Sequence, residues 1–213
     1  MQVYKGIEGL PSFTNSVITI GTFDGVHLGH KKLINNLVEQ AEKLNGESII
    51  ITFDPHPRKI INTSEQLQLI NTLNEKLDLL STTGIDHVVV VPFTKEFSEL
   101  PAEEYIRSFI VANFHPHTII IGYDHHFGRN RQGNLAFLKE RASYYGYELV
   151  QVAKQTIDEI AISSTRIRDA IINSDIETAN KLLGYQYFFD GIVVNGNKLG
   201  RKLGFPTANL EYS

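Results

Sequence analysis

Two histidines, His27 and His30, follow a short apolar run and a glycine-rich turn in the stretch Ile18-Thr19-Ile20-Gly21-Thr22-Phe23-Asp24-Gly25-Val26-His27-Leu28-Gly29-His30. Their spacing puts both imidazoles on one face of a first helical turn, with Gly29 between them leaving the backbone open to a ligand. A helix N-terminus presents unpaired N–H groups and a positive dipole end, so it attracts phosphate. Imidazole donors placed there can follow the charge that develops on a reacting phosphoryl group. An isolated pair of this kind is equally well a glycine turn with two surface histidines, so a second motif has to decide.

That motif is Ile162-Ser163-Ser164-Thr165-Arg166-Ile167-Arg168. Hydroxyl residues ahead of the apolar-periodic Ile167, Ala170 and Ile171 mark a helix start. Ser163, Ser164 and Thr165, with their N–H groups, form another seat for phosphate, and Arg166 supplies a permanent fork of donors. Alone, this reads as an ordinary N-cap with solvated arginines. Together with the two-histidine turn it reads as the second jaw of a triphosphate clamp.

The elements that must position these residues alternate. Val17–Gly21, Ser48–Phe53, His87–Val91, Thr118–Gly122 and Glu148–Val152 are apolar, β-branched strands. Between them lie amphipathic helices over about Leu28–Leu44, from the capping box Thr72–Glu75 to Gly84, from Pro101 to about Asn113, and over Leu135–Tyr145. The alternation predicts an α/β fold, a parallel sheet covered by helices on both faces. Ligands of such sheets bind beyond the carboxyl ends of the strands. The two-histidine turn, the segment Asp54-Pro55-His56-Pro57 and the loop Gly122–Gly133 all fall there. His87, heading an apolar strand, reads as structural.

After Gly184 the texture turns aromatic and β-rich, through Tyr187-Phe188-Phe189-Asp190-Gly191-Ile192-Val193-Val194, with no helical pattern after it. A domain boundary is expected near Gly184–Gln186. The residues beyond it are too few to close a second core, so the chain is expected to end inside its second domain. The unpaired strands there should favour self-association through exposed edges.

Composition bounds the rest. The 213 residues carry a net charge of −4, which argues against a general nucleic-acid binder. There is no cysteine, which excludes disulfides and Cys-based zinc sites and fits a reducing, cytoplasmic setting. Neither a signal-peptide core nor an apolar run of membrane-spanning length is present, so no membrane association is expected. The eight histidines include His115-Pro116-His117 and His125-His126, but the pairs lie in separate loops without the four-ligand pattern of a structural metal site.

Five ordered motifs carry a family resemblance: Gly21–His30, Phe53–Pro57, Gly122-Tyr123-Asp124-His125-His126-Phe127-Gly128, Ser163–Arg168 and Gly200-Arg201-Lys202-Leu203-Gly204-Phe205-Pro206-Thr207-Ala208-Asn209. The two jaws resemble those of the HxGH nucleotidyltransferase superfamily. The full set resembles the bacterial FAD synthetase family, bifunctional riboflavin kinase/FMN adenylyltransferases, from end to end of the chain. His125, where the family usually has phenylalanine, and Asn134, where aspartate is frequent, are departures that bear on the flavin pocket.

The resemblance implies a Rossmann-like nucleotidyltransferase domain over residues 1–184 and, over 185–213, the start of a riboflavin kinase β-barrel. It implies transfer of AMP from ATP to FMN, giving FAD and pyrophosphate, with riboflavin kinase activity in the full-length parent. His27, His30 and Arg166 are then the catalytic residues. Gly21, Thr22, Phe23, Asp24, Gly29, Ser163, Ser164 and Thr165 bind ATP, and Phe53, Asp54, His56, Asp124 and Phe127 bind flavin. Gly204, Pro206, Thr207 and Asn209 belong to the kinase loop. Mg²⁺ is expected on the ATP phosphates, with no dedicated protein site in the first domain. The rival readings are another HxGH transferase, acting on phosphopantetheine, choline phosphate or a pyridine mononucleotide, and a non-catalytic flavin- or nucleotide-binding module. The kinase-like tail and the Phe53–Pro57 segment weigh against the former, and the presence of both histidines and Arg166 against the latter.

Overall fold

The computed structural model describes the chain except for residues 63–66, 124, 154–155, 158–159, 198, 206 and 212–213. Strands β1 (Gln2–Lys5), β2 (Val17–Ile20), β3 (Ser48–Asp54), β4 (His87–Pro92), β5 (Thr118–Gly122) and β6 (Glu148–Val152) form one sheet in the order β1-β4-β3-β2-β5-β6. Every neighbouring pair in it is parallel. The helices of the first half are α1 (Leu28–Lys43), α2 (Pro57–Ile61), α3 (Leu73–Ser81) and α4 (Lys95–Ser98). A continuous helical stretch then runs through α5 (Ala102–Glu104), a π-helical segment (Tyr105–Val111) and α6 (Ala112–Phe114). Further along come α7 (Leu135–Tyr145), the two-stranded pair β7 (Thr156–Ile157) and β8 (Ile160–Ala161), α8 (Ser164–Ile172) and α9 (Ile176–Leu183).

The strands alternate their side chains between two dry layers, as their period of two requires. Val17, Ile50, Val88, Val90 and Ile120 meet Ile34, Leu37 and Ala41 of α1 and Leu80 of α3 on one face. Ile18, Ile49, Ile51, Val89, Ile119 and Ile121 meet Ile106, Phe109, Ile110 and Phe114 on the other. A third cluster, around Ile162, Ile167, Ala179, Leu182 and Leu183, packs α8 and α9 against Leu28 and Tyr185. It brings the start of α8 to the start of α1.

The predicted strands and long helices are present, with boundaries shifted by a residue or two. Four differences have physical reasons. β1 is an edge strand of four residues with a polar exposed pattern, too short to show periodicity. Pro101 is the N-cap rather than the first helical residue, and the helix it opens widens into a π-helix. The helix after the capping box ends at Ser81, and Gly84 (φ +80°) turns the chain beyond it. Past Gly184 the antiparallel pair β9 (Ile192–Val194) and β10 (Asn209–Glu211) flanks a single turn of helix, α10 (Leu199–Lys202), in a stretch whose sequence shows no helical pattern.

Candidate active site

β2 lies between β3 and β5, so the chain leaving its carboxyl end enters the crevice where the strand order reverses. The turn it makes there is strained. Phe23, Gly25 and Val26 all have positive φ (+50°, +84° and +36°). For a β-branched residue such as Val26 this is an uncommon conformation, held only where the surroundings over-determine it. A Cβ on Gly25 would meet Ile70 Cδ1 at 2.9 Å, so this position also needs glycine for space.

Three side chains from three elements hold the carbonyls of this turn. Lys76 Nζ donates to the Thr22 carbonyl at 3.3 Å, Ser164 Oγ to that of Asp24 at 2.9 Å, and Tyr185 Oη to that of Gly25 at 2.7 Å. The Asp24 carboxylate accepts from the Ile70 N–H (2.9 Å) and from Arg168 Nη1 (2.6 Å). Burial pushes this carboxyl up, while the Ile70 N–H and the Arg168 guanidinium pull it back.

The turn delivers His27 to the N-cap of α1, where its Nδ1 accepts the backbone N–H of His30 at 3.2 Å. That bond fixes the tautomer, leaving the proton on Nε2. The two imidazoles stack, with centroids 3.6 Å apart and planes at 11°. A Cβ on Gly29 would sit 3.2 Å from Nδ1 and Cε1 of His27. The space above Gly29 is therefore filled by the His27 ring rather than left open to a ligand. Burial lowers His27 to about 4 and pushes His30 well below the ordinary histidine range, helped by the charges of His27 and Lys76. Both rings are neutral donors at pH 7. His30 Nδ1 is buried without a partner among the described residues, a polar atom still to be satisfied.

The second jaw stands beside the first. Ser163 caps α8, its Oγ accepting the Arg166 N–H at 3.3 Å. Arg166 is exposed on the outer side of that turn, and Thr165 is exposed beside it. Arg168, one turn further along, crosses inward to Asp24 and reaches Thr165 Oγ1 at 3.5 Å. Sequence reasoning chose Arg166 and missed Arg168, Lys76 and Tyr185. Arg168 was within reach, since it lies one helical turn from Ser164 and on the same face.

The proposed flavin residues divide. His56 caps α2 with Nδ1 accepting the Arg58 N–H at 3.1 Å. Burial, with the positive charges of Arg168, Arg58, Lys76 and Lys59, lowers it to about 4. Asp54 is exposed at the end of β3. Phe53 is buried edge-on to Phe93 at 5.4 Å. Phe127 is stacked on Tyr105 at 4.9 Å and covers Gly133, where a Cβ would lie 2.3 Å from the ring. Both rings are walls of the core rather than open faces, and Asp124 lies outside the described residues. Asn134 caps α7, its side chain accepting the Phe137 N–H at 3.1 Å, a role that aspartate fills equally well.

In the tail, Gly204 has φ +84°, Thr207 lies beside Gly200, and Asn209 opens β10. Pro206 lies outside the described residues. Among the described residues no group of three or more His, Asp or Glu side chains could hold a metal ion, and no helix is long and apolar enough to cross a membrane.

Comparison with known proteins identifies the family and the fold. A family model described as FAD synthetase matches residues 11–166, and one described as riboflavin kinase matches residues 183–213. A bifunctional riboflavin kinase/FMN adenylyltransferase of Buchnera aphidicola is 38% identical over 99% of this chain and 68% of its own length. That of Escherichia coli K12 is 34% identical over the same shares. A crystal structure described as a macrolide-efflux protein from Streptococcus pneumoniae superposes with a TM-score of 0.85 at 29% identity, covering 99% of this chain and 68% of that one. Pantothenate synthetase from Thermus thermophilus, at 17% identity and a TM-score of 0.52 over 86% of this chain and 71% of that one, shares the fold. With the family model spanning most of its length and relatives above 30% identity, the chain belongs to the bifunctional riboflavin kinase/FMN adenylyltransferase family.

Proposed function

We propose that residues 1–184 transfer AMP from ATP to FMN, releasing pyrophosphate and giving FAD, and that residues 185–213 belong to a riboflavin kinase domain. The observation that carries this reading is the pair of stacked neutral imidazoles at the start of α1, joined through Asp24 to the start of α8. The FMN phosphate is already an anion, so no protein nucleophile is required. One of its oxygens attacks the α-phosphorus of ATP, and the bond from that phosphorus to the oxygen bridging to the β-phosphate breaks. Catalysis is then placement and charge stabilisation.

His30 donates to the α-phosphate as charge builds on it, while His27 holds a neighbouring phosphate oxygen through Nε2. Gly21, Thr22, Phe23, Asp24 and Gly29 shape the nucleotide cradle. The N–H groups of α8's first turn, the hydroxyls of Ser163 and Thr165, and Arg166 at the rim take the β- and γ-phosphates, whereas the Ser164 hydroxyl stays on the turn. No described residue group is arranged to hold Mg²⁺, so the ion would be carried on the ATP phosphates, where it would supply neutralisation of phosphate charge. Asp54 and His56 face the flavin, with Phe53 and Phe127 backing its pocket, and Asp124 is assigned to flavin by the motif alone. The absence of cysteine suits a cytoplasmic enzyme.

Incubation with FMN, ATP and Mg²⁺ tests the reading. FAD and pyrophosphate in equal amounts are expected. Binding of both substrates without turnover would leave a nucleotide- and flavin-binding module instead.

A further inference from the structure

Lys76 is a buried cation, 8% exposed, at the floor of the crevice. Among the described residues its hydrogen-bond partners are both neutral: the Thr22 carbonyl at 3.3 Å and Thr52 Oγ1 at 3.2 Å. Thr52 Oγ1 in turn donates to the same Thr22 carbonyl at 3.2 Å. A buried lysine without a carboxylate in contact is costly to the fold, since desolvation favours losing the proton. Burial lowers its own ammonium accordingly, and Asp24 and Asp54 oppose that at longer range. A plain packing position would be served better by methionine or leucine. The cost is explained if the charge and its donors do something for the site.

We propose that Lys76 is a positioning residue for adenylyl transfer, anchoring the strained 22–26 turn through the Thr22 carbonyl and placing a fixed positive charge beneath His30. The inference rests on the proposed reading of the site. The geometry supplies both parts. Thr22 is the last residue before the left-handed Phe23, so its carbonyl sets the direction in which the turn leaves β2. α3 is held rigidly enough to act as the anchor. Its capping box ties Thr72 and Glu75 reciprocally, at 2.7 and 3.3 Å, and the other oxygen of Glu75 accepts the Asp190 N–H at 2.8 Å.

The charged and titratable groups around Lys76 come from every adjoining element. They are Asp24 in the turn, His27 and His30 at the start of α1, Asp54 at the end of β3, His56 beyond it, and Arg168 from α8. Lys76 bears on both His30 and His56 in the direction that keeps them neutral. A neutral His30 keeps its N–H in place as a donor and leaves net positive charge to the fixed groups, which need no proton to arrive before reaction.

The test is Lys76→Met, which keeps the unbranched apolar stem and removes charge and donors together. FAD formation from FMN and ATP is followed alongside NMR titration of histidine-labelled protein. The expected result is a fall in kcat of about tenfold or more with KM for ATP changed less than about threefold, because placement in the transition state is lost rather than ground-state binding. The His30 resonance is expected to titrate at higher pH than in the wild type. A kcat within about twofold of wild type, or an unmoved His30 titration, overturns the proposal. Lys76→Gln, which keeps an N–H donor without charge, replaces Met if that variant fails to fold, with the same expectations. If neither variant folds, Lys76 serves the fold alone and the proposal falls. A wild-type protein that makes no FAD defeats the reading of the site, whereas an active wild type with an unaffected variant defeats this inference alone.

Discussion

Nη1 of Arg168 lies 2.6 Å from Oδ2 of Asp24, and this contact joins the start of α8 to the turn before α1 across 144 residues of sequence. Around it the turn that carries His27 is held from outside rather than by its own backbone preferences. Lys76 comes from α3, Ser164 from α8, and Tyr185 from the segment that follows α9. Tyr185 also donates to Asn71 Oδ1 at 3.2 Å and lies under the Lys31 ammonium, 5.1 Å from its ring centre. The residues that open the riboflavin kinase match thus take part in shaping the adenylyltransferase crevice.

The first prediction separates the two arginines. Arg168→Met leaves the Asp24 carboxylate buried without its charged partner, which typically costs about 3–5 kcal/mol. It is expected to lower the melting temperature and the rate of FAD formation together. Arg166→Lys, at an exposed rim position, is expected to leave stability unchanged and to weaken ATP use, because an ammonium replaces a two-pronged donor. Thermal melts and ATP titrations on both variants decide it. A stable, fully active Arg168→Met would show that the jaws need no such link.

His30→Ala is expected to reduce kcat by about 10²–10³ while ATP binding, measured by calorimetry, changes little. The ring sits at the helix start with Nδ1 buried and unpartnered among the described residues, which suits a group whose partner arrives with the substrate. Near-native turnover would remove His30 from the mechanism.

Much of this arrangement is legible in the sequence, and the limits have identifiable causes. Continuous apolar strands and capped helices are local signals, so Val17–Ile20, Ser48–Asp54 and the Thr72–Glu75 box stand where residue type puts them. His27, His30 and Ser163 are legible because glycine and hydroxyl residues announce helix starts. Lys76 is not. On an amphipathic helix a lysine reads as solvated, and only the tertiary packing shows it buried against β2 and β3. The same is true of Tyr185, whose partner Gly25 lies 160 residues away. Phe127 shows the opposite limit: an aromatic in a loop motif reads as a ligand platform, and only the fold shows that its ring packs against Tyr105 and Gly133.

Gly29→Ala tests why the residue before His30 is a glycine. The new methyl would lie 3.2 Å from two atoms of the His27 ring, tighter than ordinary contact, so the ring must give by a few tenths of an ångström. Its stacking on His30 and the His30 N–H bond to Nδ1 would both loosen. Alanine favours the helix interior by about 1 kcal/mol over glycine, so stability should hold or rise while kcat falls. A crystal structure of the variant with the ring pair unmoved would refute the argument.

Acid sensitivity should trace to the same rings. His27 is lowered to about 4 by burial from an ordinary 6.5, so between those values the unfolded chain binds a proton that the folded chain refuses. Stability is therefore fully present above about pH 6.5 and is lost as pH falls toward about 4, with His27 alone contributing roughly 3 kcal/mol. His56 adds to the same window. His27→Asn keeps a good N-cap and removes the titration, so its stability should depend less on pH across this range. Urea melts at pH 7 and pH 5 give the comparison, and equal slopes in variant and wild type would assign the acid sensitivity elsewhere.

The last prediction concerns the 192–211 ribbon. β9 and β10 pair only with each other among the described residues, and the apolar side chains around them face solvent: Ile192 is 72% exposed, Val193 68%, Leu203 68% and Phe205 78%. Thr207 and Asn209 are exposed as well, and phosphoryl transfer depends on a loop being held in place by a rigid scaffold. The 213-residue chain is therefore expected to make FAD from FMN and ATP but no FMN from riboflavin and ATP. An apolar patch of this kind also favours association through its free strand edges. Sedimentation velocity should show mass rising with concentration, and charge placed at Val193 (Val193→Lys) should suppress it without touching FAD formation. Both half-reactions can be assayed on one preparation. Riboflavin phosphorylation by this chain would mean that the ribbon finds its scaffold in a second copy or against the parallel sheet and its helices, and that the two activities share more of the structure than their separate sequence matches suggest.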